Sequence, residues 1–155
     1  NFKGVWRRFN SIGTKNKIEV IDDFAHNPHK LAATLKAAHL RGKRVLAFFQ
    51  PHAFTSVQLL LKEFIDEFSA NIKEQDHLWL GEIYYAGGTI PPNVSSKLIY
   101  EGLKHKGTPV SFLSGRDDTA KDIAASAKPG DVILVMGARD PTLTDYARQI
   151  FNMLK

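Results

Sequence analysis

The sequence predicts one α/β domain: a mostly parallel sheet with helices on both faces and short strands at its N-terminal end. Three observations carry this. Two near-continuous apolar runs, 44–49 and 132–136, suit parallel strands covered on both sides. Val57, Leu60, Leu61, Phe64, Ile65 and Phe68 recur at steps of three and four, which makes one apolar stripe on a helix. Strand-like segments alternate with helix-like segments of about 10–15 residues, as in βαβ units.

In chain order, residues 5–9 and 17–22 read as two short strands joined by a turn-rich connection, 10–14. Asn27 and Pro28 open a helix over 28–41, with Leu31, Leu35 and Ala38 on one face and Gly42 as its stop. The strand 44–49 follows, then a loop, 50–56, and the striped helix. A strand over 77–83 leads to an apolar loop, 84–92, and a helix over 94–105 capped by Asn93 or Ser95. A short strand, 109–113, precedes a helix over 117–127 with Ala120, Ile123, Ala124 and Ala127 on one side. Strand 132–136 ends in 137–141, a cap-plus-proline start to a last helix that buries Leu143, Ala147, Ile150, Phe151 and Leu154.

The 155 residues suffice for one domain with its own core, and 43% hydrophobic content excludes a disordered chain. The absence of cysteine excludes a disulfide framework and a thiolate metal site. No apolar run has bilayer length and no signal-peptide pattern opens the chain, so a cytoplasmic location is expected. The formal charge of +5 resides wholly in residues 1–17, where Lys3, Arg7, Arg8, Lys15 and Lys17 meet no acid. Such a segment suits nucleic acid or another phosphate; a solvated basic strand explains it equally. The chain opens on Asn1 with Phe2, Val5 and Trp6 already apolar, which reads as one domain of a longer protein.

Right-handed crossovers put the loops at 22–28, 50–56 and 137–141 on one edge of the sheet, where ligands of open α/β sheets bind. The polar groups there are Arg8, Asp23, His26, Asn27, His52, Thr55 and Arg139. They suit a nucleotide together with a small zwitterion. Aspartate accepts from ribose hydroxyls, arginine forks onto phosphate or carboxylate, and histidine takes a proton from an attacking amine. Plainer readings stand beside these: Asp22, Asp23 and His26 as turn polars, His52 as a capped residue of its own loop, Arg139 as the surface partner of Asp140 or Asp145. The P-loop, the dinucleotide fingerprint and the nucleophile elbow are all missing. Only His26 and His29 have tight ligand spacing, and they flank a proline at a helix start, so no metal site is expected.

The motifs Trp6-Arg7-Arg8-Phe9, 22–28 (DDFAHNP), 49–52 (FQPH) and Tyr85-Ala86-Gly87 resemble the C-terminal domain of the Mur ligases, most closely the UDP-N-acetylmuramate–L-alanine ligase branch. The resemblance covers the whole chain. It implies a Rossmann-like third domain that closes over ATP bound, with Mg, mainly by a central P-loop domain absent from this chain. The N-terminal UDP-sugar domain is likewise absent. The reaction implied is ATP-dependent phosphorylation of a carboxylate on the UDP-sugar, then amide formation with an incoming amino acid or short peptide. The implied partners are the central domain of the same parent chain and UDP-N-acetylmuramate, with no nucleic acid and no membrane. The isolated fragment, lacking a P-loop, is expected to be inactive.

By the same resemblance, Arg8 reaches the ATP phosphates, Asp23 holds the ribose, and His26 and His52 flank the incoming amino acid. Asn27, Thr55 and Arg139 are the candidates for binding that substrate. The chain departs from the branch at Phe24, usually tyrosine, at Asn27, often histidine, and at Gly137-Ala138-Arg139-Asp140, usually Gly-Ala-Gly. The largest departure is the pair Ala53 and Ser56, where two arginines would hold the amino acid's carboxylate. Arg139 is expected to supply that contact, which requires its guanidinium to face His26 and His52. Two other functions fit less of the sequence: a non-catalytic nucleotide- or phosphate-binding module, and a basic nucleic-acid-binding domain resting on the charge and on Phe2, Trp6 and Phe9.

Overall fold

The computed structural model describes residues 6–155. Six strands form one sheet in the order β1-β2-β6-β3-β4-β5. They are β1 (Asn10–Lys15), β2 (Ile18–Asp23), β3 (Arg44–Gln50), β4 (His77–Leu80), β5 (Val110–Ser111) and β6 (Asp131–Gly137). β1 and β2 pair antiparallel, and the other four pairings are parallel. The helices are α1 (Pro28–His39), α2 (Phe54–Leu59), α3 (Leu61–Asn71), α4 (Lys97–His105), α5 (Arg116–Ser126) and α6 (Leu143–Met153).

The apolar runs of β3 and β6 feed two cores by simple alternation, because successive side chains of a strand point to opposite faces. Val45, Ala47, Phe49, Leu134 and Met136 pack with residues of α1, α3 and α4. Leu46, Phe48, Ile133 and Val135 pack with α5 and α6. Each fully buried Leu, Ile or Phe contributes roughly 1.5–3 kcal/mol by leaving water. The expected mostly parallel sheet, covered on both faces, is the architecture found.

β6 lies between β2 and β3, so the chain makes its last pass through the middle of the sheet. The chain leaving β2 runs to α1 on one face, and the chain leaving β6 runs to α6 on the other. Connections that part in this way open a crevice at the carboxyl ends of the strands. The register aligns the strand ends there: Asp23 pairs with Met136, and Gln50 with Gly137.

Several boundaries differ from expectation. The first strand is not at 5–9; residue 5, with Phe2 and Lys3, lies outside the described residues. Arg7 and Phe9 take left-handed backbone, φ 55° and 49°, which no strand accommodates. Residues 10–14, expected as a turn, instead lie in β1 (Asn10–Lys15). The hairpin turns at Asn16-Lys17, whose φ values of 51° and 62° match the twist of the flanking strands. The striped helix breaks at Leu60 into α2 and α3; Val57, Phe64 and Phe68 are buried, while Leu60, Leu61 and Ile65 are only partly so.

β4 ends at Leu80, and only an isolated bridge between His52 and Tyr84 continues that pairing. β5 keeps two residues of the expected five. α4 begins at Lys97 behind Ser96, not behind Asn93 or Ser95; the Ser95 hydroxyl accepts from the Lys97 N–H at 3.2 Å. α1 ends before Leu40, so Gly42 is not its stop. A Cβ at Gly42 would lie 2.7 Å from the Gly130 carbonyl, so glycine is there for close approach. α6 begins at Leu143, two residues beyond Pro141, and Phe151 is only half-buried.

Candidate active site

The rim starts from an anchor beneath it. Arg7 is 1% exposed. Its Nε donates to both oxygens of Asp22, at 3.0 and 3.1 Å, and its Nη2 to the Asp23 carbonyl at 3.3 Å. The Thr144 hydroxyl completes the carboxylate's shell at 2.6 Å. The guanidinium lies near the rings of Trp6 and Phe24, 5.8 and 5.5 Å from their centroids. Asp22 is therefore the buried partner of Arg7, and its carboxylate does not serve the rim.

Asp23 is equally committed. Its Oδ2 accepts from the Phe9 N–H at 2.8 Å, and its Oδ1 from the Ala25 N–H at 2.7 Å and the Thr34 hydroxyl at 3.1 Å. A carboxylate offers about four acceptor sites, so little capacity is left for a ligand. Arg8 is exposed and makes no hydrogen bond or ion pair among the described residues. Arg8, Asp23, Phe24, Lys30 and Thr34 line a cleft of about 340 Å³.

Beside that cleft stand the histidines. The imidazoles of His26 and His52 are 5.3 Å apart, centroid to centroid. His26 Nδ1 lies 3.1 Å from the Phe24 carbonyl. A carbonyl only accepts, so Nδ1 carries the proton and Nε2 is the acceptor of the neutral ring. Burial lowers the His52 pKa below 6.5, and repulsion from His26 whenever that ring is protonated, and from Arg139, lowers it further. His52 is therefore a neutral imidazole at pH 7, able to accept a proton. Its Nδ1 is buried without a hydrogen-bond partner, as is the Oε1 of Gln50 at the end of β3. Gln50 fits there because Gly137 carries no side chain; a Cβ would lie 2.9 Å from the Gln50 carbonyl and 2.7 Å from Leu143 Cδ1.

Of the three substrate-binding candidates, Arg139 is exposed and acts on His52 through its charge. Asn27 spends its side-chain oxygen on the Lys30 N–H at 2.9 Å, as the cap of α1. Thr55 is exposed in the first turn of α2 and makes no hydrogen bond among the described residues. Ala53, just before α2, has φ 62°. Residue type does not single out Arg7 or Gln50; burial and partners give them their place. Hollows of about 680 and 630 Å³ lie along 90–101 and between α5 and the C-terminus, lined by none of these residues. Among the described residues no three His, Asp or Glu side chains converge on a point where a metal could sit, and no helix is long and apolar enough to cross a membrane.

Fold and rim together define an α/β domain that presents a histidine pair and free cations at its topological switch point. The chain belongs to the Mur ligase family: residues 7–139 match the family's model described as Mur ligase, glutamate ligase domain. It is 39% identical over 137 residues to the UDP-N-acetylmuramate–L-alanine ligase of Gloeobacter violaceus, covering 88% of this chain and 29% of that protein. It is likewise 39% identical over 142 residues to that of Pelotomaculum thermopropionicum, covering 90% and 30%. Among solved structures it resembles the UDP-N-acetylmuramate–alanine ligase of Thermotoga maritima, with a TM-score of 0.68 at 24% identity over 97% of this chain and 30% of that one. A murein peptide ligase of Psychrobacter arcticus gives 0.70 at 23% identity, over 98% and 30%. The chain thus spans about 30% of the length of the relatives it matches.

Proposed function

We propose that this chain is the C-terminal closing domain of a cytoplasmic, ATP-dependent ligase that joins an amino acid or short peptide to UDP-N-acetylmuramate in peptidoglycan precursor synthesis. The observation that carries the reading is the His26–His52 pair, 5.3 Å apart, beside the cleft lined by Arg8 and Asp23. Family membership and the ligase relatives support it.

In this reading, ATP and UDP-N-acetylmuramate are substrates held mainly by the central domain of the parent protein. Transfer of the γ-phosphoryl group to the sugar's carboxylate gives an acyl phosphate and ADP. The amine of the second substrate attacks the acyl carbon, the C–O bond to phosphate breaks, and inorganic phosphate leaves with that electron pair. The nitrogen loses its proton to the neutral imidazole of His52, with His26 orienting the amine. Arg8 and Lys30 bring two positive charges to the nucleotide side. Asp23 shapes that cleft through Phe9, Ala25 and Thr34, and at most one of its acceptor sites reaches a ribose. Mg belongs to the central domain.

Arg139 pairs with the α-carboxylate of the incoming amino acid, in place of the arginines that Ala53 and Ser56 replace. Its charge acts at His52, whose pKa it lowers. A charge-assisted contact of this kind contributes about 1.5–3 kcal/mol.

The test is a substrate screen on the full-length enzyme with UDP-N-acetylmuramate, ATP and a panel of amino acids and short peptides, read as ADP release and amide product. Amide formation with at least one amine supports the reading. Its absence across the panel, with the folded enzyme still binding ATP, refutes it.

A further inference from the structure

We propose that Arg116, acting through Asp140, is the positioning residue that holds Arg139 against the histidine pair. The proposal extends the reading of Arg139 as the carboxylate-binding cation of the rim.

Arg139 sits in an unfavourable conformation. Its φ is 68°, and the Asp140 N–H donates to the Ala138 carbonyl at 2.8 Å. A hydrogen bond from the following residue to the preceding one closes a three-residue turn around Arg139, the rare, strained form when the central φ is positive. A side-chain-bearing residue in such a turn persists only where its surroundings over-determine it, and such residues gather at functional sites.

The surroundings that fix it are the contacts of Asp140, which is 4% exposed. Its Oδ2 accepts from Arg116 Nη1 at 2.9 Å. Its Oδ1 accepts from the Thr142 N–H at 2.9 Å and the Thr142 hydroxyl at 2.6 Å. Arg116 Nη1 also reaches the Thr142 hydroxyl at 2.9 Å. Arg116 is itself held: its guanidinium lies 4.3 Å from the ring centroid of Tyr146, whose hydroxyl donates to the Arg116 carbonyl at 2.9 Å. Burial pushes the Tyr146 phenol up, so it remains a donor. Tyr146 packs on Phe48 of β3, centroids 4.8 Å apart. A continuous chain of contacts therefore runs from the core through α6 and α5 to the residue that presents Arg139. Nothing in the chemistry proposed above uses Arg116 or Asp140 directly.

His52 reports on the arrangement. The charged groups that act on it are His26, from the loop after β2, and Arg139, from the loop after β6. The experiment is an NMR titration of the His52 ring in this chain, unaltered and as Arg139→Ala, Arg116→Met and Asp140→Asn. The expected result is an upward shift of the His52 midpoint in all three. Arg116→Met combined with Arg139→Ala should shift it no further than Arg139→Ala alone. The sign in Asp140→Asn separates positioning from a direct field effect, since removing an anion would by itself lower a histidine's pKa. Arg116→Lys keeps the charge but loses the planar fork. It should also shift His52 upward, and it carries the test if Arg116→Met fails to give a cooperative melt.

In the full-length enzyme, Arg116→Lys should raise the amino-acid KM about tenfold with kcat within about twofold, the pattern of lost substrate binding. An unmoved or lowered His52 midpoint in the Arg116 and Asp140 variants overturns the proposal, as does an unmoved midpoint in Arg139→Ala. The titration needs no catalysis. A failed substrate screen would therefore refute the ligase reading while leaving this result intact, and an unmoved midpoint would do the reverse.

Discussion

His26 and His52 face each other at 5.3 Å across the end of β6, one from the loop after β2 and the other from the loop after β3. Neither strand pairs with the other; β6 enters between them, and beyond its loop the chain runs to α6 on the opposite face.

His52→Ala in the full-length enzyme should lower kcat/KM by about 10²–10⁴, the usual contribution of a positioned base. His26→Ala should act mainly on the amino-acid KM, because His26 only orients the amine. Steady-state kinetics at saturating ATP separates the two. Equal, small effects from both would count against the base assignment.

The pH dependence has a definite sign. Burial, with His26 and Arg139 close by, lowers the folded-state pKa of His52 below the 6.5 of the unfolded chain. Between the two values the unfolded chain binds more protons, so this group favours folding above pH 6.5, and that contribution falls as pH drops through the folded pKa. The acid limb of kcat/KM should accordingly lie below pH 6.5, and Arg139→Ala should move it upward. A rate–pH series on both enzymes reads this directly.

Arg7→Ala should destabilise the domain by about 3–5 kcal/mol, because it strands the Asp22 carboxylate in the interior. Thr144→Val removes one acceptor contact of the same carboxylate and should cost about 1 kcal/mol. Urea unfolding of this chain measures both. A cost below about 1 kcal/mol for Arg7→Ala would show that the pair is hydrated.

Arg8→Ala should leave stability within about 0.5 kcal/mol, since the side chain is exposed and makes no hydrogen bond or ion pair among the described residues. In the full-length enzyme it should raise the KM for ATP roughly tenfold or more, as expected for one lost charge-assisted phosphate contact. An unchanged ATP KM would remove Arg8 from the nucleotide side.

Gly137→Ala tests the crowding at the end of β6. The new Cβ would meet Leu143 and the Gln50 carbonyl at under 3.0 Å. The expected cost is about 1–3 kcal/mol, with a displaced Arg139 loop and a raised amino-acid KM.

The sequence carried the layer architecture because it is written in local periodicity. β3 is apolar from Val45 to Phe49 and β6 from Val132 to Met136, and only a strand buried on both faces needs such unbroken runs. The rim was legible for a related reason: Asp23, His26, His52 and Arg139 are polar residues at the ends of apolar runs, where a strand must stop. The hairpin was misread because Asn10–Lys15 has no hydrophobic alternation, and the turn at Asn16-Lys17 lacks the usual glycine. The break at Leu60 was invisible because the stripe continues through it.

By itself, then, the order of residues determined the sheet, the helices on its two faces and the edge on which the polar loops gather, since all three follow from side-chain period and crossover handedness. Only the tertiary structure decided what each carboxylate at that edge does. Asp22 is held by Arg7, Asp23 by three donors of its own neighbourhood, and Asp140 by Arg116. A carboxylate binds whichever donors the fold delivers, and those donors lie across loops and layers that adjacency along the chain does not reveal.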